Sequence, residues 1–582
     1  MIRANIGCAI AAAVVVAAAA AAGGTGSSPS RTLRAPREKL TGKSAQTAHA
    51  TGELVATAQA VTPSVRVNNV TTGGQHLPTV TVGPGGQVYV AWVDCPVEQD
   101  CSLLGTAPPD IYFAKSTDGG QHFSARVLVS DDGPGAYANA PKIATDQDGT
   151  IYIVWHDDRA ATASDGSWDV YLSRSTDGGQ TFSPSVRVNE QIANTYQYEP
   201  DLAVTPTGTV YVSWRREYFD DQLQQPDSDV YVAVSLDGGA SFGTNIKVSD
   251  GENYQYKSTI GLGPSGNVYV AWTDWRDDGI GDIYFTRSTN GGVTFSPNIR
   301  VNNYTEDSQT YPEIAIDGDE VIYVVWLDWR RLADGSYDVY MARSTDLGES
   351  FGNEIRVSDA DISTAASDLY PVITAAGHGS VAVAWYDERT DDWDTYMTRS
   401  NDAGLTFLPS WRVNDLTANS QSMPDIFMTS NLDVYCVYRD RSSGDFDIYF
   451  VRDIAPEAPA AALFYPLPPC RVLDTRTPSG MPILGVGERR IFTVASTCGV
   501  PSGAKAIVSN LTVVGAGAQG ELKVIGGHLT ATTTSSISFP ASRAKANNAI
   551  VQLATDGSGT ISVINNSAGT VHFILDVSGY FQ

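Results

Sequence analysis

The sequence predicts an all-β chain: a seven-bladed β-propeller of four-stranded blades closed by an N-terminal strand, followed by a β-sandwich-like C-terminal domain. Three observations predict it. The turn Ser175-Thr-Asp177-Gly-Gly179-Gln-Thr-Phe182 has near-copies at 116–123, 235–242, 288–295, 344–351 and 400–407, spaced 53 to 60 residues apart. A strand-like run of the Val-Tyr-Val-Ala-Trp type occurs seven times, at 88–92, 151–155, 210–214, 268–272, 322–326, 381–385 and 434–438. Finally, Pro63-Ser-Val-Arg-Val-Asn-Asn69 duplicates the run at 184–189 that follows a turn, yet no turn stands before it.

Each unit follows one plan. A strand begins near a proline (Pro78, Pro141, Pro312), and a Gly-rich hairpin leads to the Val-Tyr-Val-Ala-Trp strand. A polar loop, a strand of the Asp-Ile-Tyr-Phe type, the eight-residue turn and a Val-Arg-Val-Asn strand complete it. The seventh unit stops at Asp447-Ile-Tyr-Phe-Val-Arg452 without turn or fourth strand, and the orphan piece at 63–69 supplies what is missing. Pairing the two closes the ring and leaves no open edge at the seam.

Within the turn, the third position is Asp118, Asp177, Asp237, Asn290, Asp346 or Asp402, a side-chain oxygen able to accept the turn's own N–H groups. The glycine at 120, 179, 239, 292, 348 and 404 fits a backbone position with φ > 0. The closing Phe suits an apolar plug between sheets. These residues resemble the Asp-box of bacterial neuraminidase repeats, S-x-D-x-G-x-x-[FW]. That family builds β-propellers and includes sialidases, other glycosidases and proteins that only bind, so the resemblance implies a fold before an activity.

Residues 1–22 read as a signal peptide, with Arg3, an Ala/Val run and small residues before Gly23. Residues 23–62 form a low-complexity, disordered tether, 63–453 the propeller and 454–463 a Pro/Ala linker. A different β-rich domain occupies 464–582, and its Cys470-Arg-Val-Leu-Asp474-Thr-Arg476, Pro501-Ser-Gly-Ala-Lys-Ala506 and Ile574-Leu-Asp-Val-Ser-Gly-Tyr-Phe581 resemble modules at the ends of secreted soil-bacterial proteins. Its Asp474, Arg476 and Asp576 suit a buried ion pair better than a site. Cys95 with Cys101, and Cys470 with Cys498, are expected to form disulfides in an oxidising compartment, leaving Cys436 buried and free. The expectation is a secreted or cell-surface monomer, not inserted in the membrane once the signal is cleaved.

With 38 Lys and Arg against 65 Asp and Glu, the net charge of −27 argues against a nucleic-acid or anionic-membrane partner. No metal-ligand spacing or cofactor motif is legible, so neither a metal nor a cofactor is expected. In a four-stranded blade the repeated turns share a face with the 1–2 hairpins, so ligands are expected on the opposite face, among the 2–3 and 4–1 loops. There, Tyr198, Tyr256, Tyr311 and Tyr370 precede or enter the inner strands. Arg159, Arg276, Arg330 and Arg389 follow a Trp-x-Asp-x-Arg pattern, from which Arg216 departs. Aromatics could stack on sugars and arginines could grip an anion. A residue repeated in every blade, however, suits a shared structural task, and the departures at 215–218 and 439–441 are more telling.

Sialidases of this superfamily use an arginine triad, a Tyr nucleophile paired with Glu, and an Asp acid/base. The resemblance would map the last three onto Tyr198, Glu199 and Asp157. Two departures weigh against it: no Arg-Ile-Pro precedes an inner strand, the matching sites reading His76-Leu-Pro78, Tyr198-Glu-Pro200 and Thr310-Tyr-Pro312, and the units number seven where sialidases have six. The expectation is therefore a secreted, sialidase-like propeller that binds glycan or another surface polymer without chemistry. An exo-sialidase or other glycoside hydrolase is the first alternative. A scaffold for protein assembly, with a protein partner, is the second.

Overall fold

The computed structural model describes residues 60–581, apart from 96–107, 134, 160–167, 221–224, 277–278, 332–335, 360–366, 390–391, 417, 455–463, 478–481, 528–536 and 555–557. The expected signal peptide, the tether up to residue 59, Cys101 and nearly all of the linker lie outside the described residues, whereas the end of the expected tether is ordered: Ala60–Val61 pairs with Asp453 and Ile454, and Thr62 N–H donates to Arg452 O at 2.9 Å. The chain divides into two compact units, Met1–Pro456 and Glu457–Gln582. Among the described residues no helix is long and apolar enough to cross a membrane.

The first unit holds seven antiparallel sheets, six with their strands in sequential order and a seventh whose last strand pairs with N-terminal segments. The inner strands are Gly74–Val82, Asn139–Thr145, Thr195–Val204, Gln255–Leu262, Gln309–Ile316, Asp368–Ala376 and Gln421–Met428. Four of the second strands, Val88–Cys95, Ile151–Asp157, Val268–Asp274 and Ile322–Asp328, are buried at every position. A neighbouring blade covers each of their faces, which is why they read as nearly unbroken apolar runs. Trp92, Trp155, Trp214, Trp272, Trp326 and Trp385 sit wholly buried near the ends of these strands, and Tyr438 takes the place in the seventh blade.

Ring closure follows the duplicated strand. Val65–Arg66 pairs with Asp447–Ile454 through Val65 opposite Phe450 and Arg66 opposite Tyr449. Val67 N–H donates to Ile448 O at 2.7 Å. Asn68 then repeats the tie made in complete blades: its Nδ2 donates to Asp447 Oδ1 at 2.6 Å, as Asn189 does to Asp169 at 2.7 Å.

The six repeated turns are built alike. In the turn at 175–182, Ser175 Oγ accepts Gly179 N–H at 2.8 Å and donates to Asp177 Oδ1 at 2.8 Å, which also accepts Thr181 N–H at 3.0 Å. The glycine is demanded twice over. Its φ is +77°, and a Cβ there would lie 2.3 Å from the Phe113 ring of the preceding blade. Phe182 packs edge-on against that ring at 5.2 Å, so each turn plugs its blade onto the one before.

Every inner strand carries a bulge at the same height. Register slips between His76 and Thr79, Asn139 and Lys142, Tyr198 and Asp201, Tyr256 and Thr259, Thr310 and Glu313, Leu369 and Val372, and Ser422 and Asp425. The residue at each slip (Leu77, Ala140, Glu199, Lys257, Tyr311, Tyr370, Met423) has φ between +47° and +55°. A positive φ costs a non-Gly residue about 1–2 kcal/mol, yet a proline follows in six of the seven and stiffens the kink.

Below the bulges, inner strands meet around a buried ion network. Lys142 Nζ of blade two lies 3.7 Å from Glu313 of blade five, which Lys257 Nζ approaches to 3.0 Å. Asp201 accepts Ile260 N–H at 2.9 Å and Asp425 accepts Val80 N–H at 2.9 Å, each tying one blade to the next. Burial alone would lower the Lys142 pKa, but Glu313, Asp201 and Asp425 outweigh it and hold the ammonium charged.

The second unit is a pair of four-stranded antiparallel sheets. One contains Phe464–Asp474, His572–Phe581, Ala506–Val514 and Lys545–Gln552, and the other Arg489–Thr493, Thr560–Asn565, Gly520–Gly526 and Ile537–Phe539. Leu511, Leu575 and Val577 from the first and Phe492, Leu522 and Ile561 from the second share one core. Cys470 and Cys498 are bonded. Cys95 is also disulfide-bonded, and Cys436 is free and buried. The buried pair expected at Asp474, Arg476 and Asp576 is instead a surface network: Arg471 bridges Asp576 at 2.8 Å and Asp474 at 3.3 Å, with its side chain half exposed. These charges alternate along paired strands at the sheet's outer face, where no packing need bury them.

Candidate functional site

The bulges bring side chains from successive blades together at the mouth of the central funnel, on the side of the 2–3 and 4–1 loops. Tyr198 and Glu199 come from blade three, Tyr254 and Tyr256 from blade four, Tyr311 from blade five and Tyr370 from blade six. The rings of Tyr254, Tyr256, Tyr311 and Tyr370 form an arc, which Arg215 joins to Tyr198. Tyr256 meets Tyr311 edge-on at 5.4 Å, Tyr311 lies 4.6 Å from Tyr370, and Tyr370 stacks on Tyr386 at 5.8 Å. The hydroxyls follow: Tyr256 and Tyr311 stand 3.3 Å apart and Tyr311 and Tyr370 3.5 Å. Trp275 packs on Tyr254 at 5.8 Å, and Trp168 on Tyr198 at 5.7 Å, extending the arc at that end.

Arg215 occupies the centre of the blade-three side. Its side chain is 4% exposed. The guanidinium carbon lies 5.0, 5.3 and 5.1 Å from the ring centres of Tyr198, Tyr254 and Tyr256. Two carboxylates hold it, Glu217 at 2.7 Å and Glu199 at 3.7 Å. Its Nη1 also donates to the Tyr254 hydroxyl, which in turn donates to Glu217 Oε2 at 3.2 Å. Beside them Glu199 N–H donates to His156 Nδ1 at 3.2 Å, which places the ring proton on Nε2. Burial, reinforced by the Arg215 charge, lowers the His156 pKa to about 3, so this ring is neutral.

The phenols are not activated. Burial raises Tyr198, and Glu217 adds to the rise. Burial and Glu199 likewise raise Tyr256, while Tyr370 and Tyr311 are raised chiefly by burial. Over this site stands an elongated hairpin. Strands two and three of blade three run Val210–Asp220 and Gln225–Ser235, eleven residues each, against seven in blades two, four and five. It carries Glu217 and Tyr218 at the mouth, Tyr218 donating to Asp227 and Asp229 at 3.3 and 3.4 Å.

The expected arginines do not gather here. In blade two, Asp157 is fully buried, accepts Trp155 Nε1 at 2.8 Å and holds Arg159 through Nε at 2.9 Å and Nη2 at 2.6 Å. Arg159 also reaches Asp131 at 2.7 Å and lies 3.9 Å above Tyr171. Arg276 with Asp274, Arg330 with Asp328 and Arg389 with Asp387 repeat this clamp. Each ties a loop to its own second strand and to an acid of a connecting segment. Asp157 is thereby engaged on both oxygens by Trp155 and Arg159 of its own blade. Arg216 fills the clamp position of blade three, 3.8 Å above Tyr231 and buried.

Arg215 and Glu217 belong to the departure at 215–218 that the sequence marks, whereas no role was expected for His156 and Tyr386, and Tyr254 was not set among the expected ligand-binding residues. A signal for three of them exists. The residue after the strand-two Trp or Tyr is Val93, His156, Arg215, Thr273, Leu327, Tyr386 or Arg439, varying while its flanks recur. A position that changes from blade to blade beside constant neighbours is free of the shared structural task.

Comparison with known proteins gives structural likeness only. No family model matches the chain, and no curated protein matches it. A protein of unknown function from Dyadobacter fermentans is 13% identical, with 68% of this chain and 99% of that one covered, at a TM-score of 0.43. The NanB sialidase of Streptococcus pneumoniae is 12% identical over 67% of this chain and 70% of its own, at 0.39. An ulvan lyase, a polysaccharide lyase, is 12% identical over 66% and 95%, at 0.44. Likeness at this level of identity concerns the fold alone. The chain's own topology defines the class, a β-propeller, and the particular protein is a seven-bladed one closed by an N-terminal strand, with a two-sheet second unit.

Proposed function

We propose that this is an exported propeller whose funnel mouth binds a glycan or other surface polymer without transforming it. One observation carries the reading: the two glutamates at the mouth, Glu199 and Glu217, both engage Arg215 within an arc of aromatic rings. Rings so arranged offer stacking faces to sugars, and carboxylates held by arginine hydrogen-bond hydroxyls and are poorly placed to trade protons. Disulfide-bonded Cys470 and Cys498 support export.

The Tyr254–Glu217 hydrogen bond favours a second reading, a glycoside hydrolase using that phenol as nucleophile. Burial and Glu217 raise the Tyr254 pKa despite Arg215, which works against it. A glycan array probed with the full chain, beside a fluorogenic glycoside panel that includes a sialoside, tests both. Binding without turnover, weakened at least tenfold by Tyr311→Ala, is expected. Turnover that disappears in Tyr254→Phe and Glu217→Gln would replace the binding reading with the hydrolytic one.

A further inference from the structure

Charge at the mouth is unevenly spent. Arg215 has two carboxylates upon it, so the trio of Arg215, Glu199 and Glu217 carries one negative charge. The floor beneath has the same sign: Lys142 and Lys257 face Glu313, Asp201 and Asp425. Glu199 is the exposed member. Its side chain is 26% accessible, while its Oε2 atom is buried, makes no hydrogen bond and is turned toward Arg215 Nε at 3.7 Å. Arg215, 3.7 Å from that carboxylate, lies 5.1 Å from the Tyr256 ring, which begins the run through Tyr311 to Tyr370. A partly exposed carboxylate beside a run of electron-rich aromatic rings and backed by net negative charge has the chemistry of an ammonium receptor. The neighbouring cage of Tyr198, Tyr254 and Tyr256 already holds one cation, the Arg215 guanidinium.

An anionic saccharide meets the opposite conditions. To grip a ligand carboxylate or sulfate, Arg215 would have to release Glu199 or Glu217, leaving a carboxylate partly buried and unpaired. Arg439, in blade seven, is hydrogen-bonded to Ser422 at 2.9 Å and to His76 at 3.0 Å, and lies 4.4 Å above Phe446.

We infer that the ligand is an amino sugar, a saccharide bearing a free ammonium group that Glu199 pairs with while Tyr256, Tyr311 and Tyr370 face it. This rests on the glycan-binding reading above and names its ligand class. Isothermal titration of the full chain at pH 6 with three oligosaccharide probes tests it: oligomers of glucosamine, of N-acetylglucosamine and of galacturonic acid. The glucosamine oligomer is expected to bind at least tenfold tighter than its N-acetylated counterpart, with no galacturonate binding. In Glu199→Gln that preference is expected to vanish while residual affinity for the neutral oligomer is kept. Equal binding of amine and acetamide, or tighter galacturonate binding, would overturn the ammonium inference and leave the glycan reading standing. Silence with all three probes would overturn both.

Discussion

Asp368 allows the energetics of the inner ring to be tested. At its position five other blades have glutamine (Gln75, Gln197, Gln255, Gln309 and Gln421), and in four of them the cross-strand partner is aspartate. In blade six Asp368 stands opposite Asp387, so two carboxylates face each other, both fully buried. Among the described residues neither Asp368 oxygen has a hydrogen bond, though Ser358 is near enough to temper the charge. Burial, and then Asp387, raise its pKa well above the ordinary carboxylate value. A group raised in the folded state contributes its stability below the unfolded pKa, near 3.8, and loses it as pH climbs toward the folded value. Asp368→Gln restores the repeat residue and removes that slope. An unsatisfied buried polar group costs about 1–3 kcal/mol, more when charged, so a gain of roughly 2–3 kcal/mol is expected at pH 8 and under about 1 kcal/mol at pH 4. Unfolding entropy near 2.1 cal/mol/K per residue over about 390 residues converts this to a rise of roughly 2–4 °C in Tm at pH 8. Differential scanning calorimetry of wild type and variant at both pH values measures it, with the smaller Asp368→Asn as a control for fit. A variant less stable at pH 8, with Asn no better, or an equal gain at the two pH values, would refute the argument.

Two further perturbations address the frame. Lys142→Met leaves Glu313, Asp201 and Asp425 with one lysine among three buried acids, and a loss of about 3–5 kcal/mol is expected in urea unfolding of the propeller. Adding Glu313→Leu should recover much of it. Gly179→Ala must accommodate a Cβ against the Phe113 ring at φ +77° and is expected to cost about 2 kcal/mol or more, whereas Gly86→Ala, with open space around it, should cost only the positive-φ penalty of about 1–2 kcal/mol.

Much of the frame was legible because it repeats. The Ser175-to-Phe182 turn, the buried Trp strands and the spare strand at 63–69 specify blade number and closure through local chemistry: a side-chain oxygen satisfying a turn, a glycine allowing φ > 0, an apolar run with no polar face. Repetition likewise marked Arg159 and Asp157 as sharing a structural task, and they sit in a clamp. What sequence could not decide was which residues converge. Arg215 and Arg216 are adjacent on one strand, and the twofold alternation of side chains sends the first into the funnel and the second onto Tyr231. Tyr256, Tyr311 and Tyr370 are separated by 55 and 59 residues, and only the ring of blades, with a bulge at equal height in each, puts their hydroxyls within 3.5 Å. Asp368 differs from its glutamine counterparts by a side chain any sequence could carry. Its cost arises only when folding places Asp387 opposite it and excludes water from both.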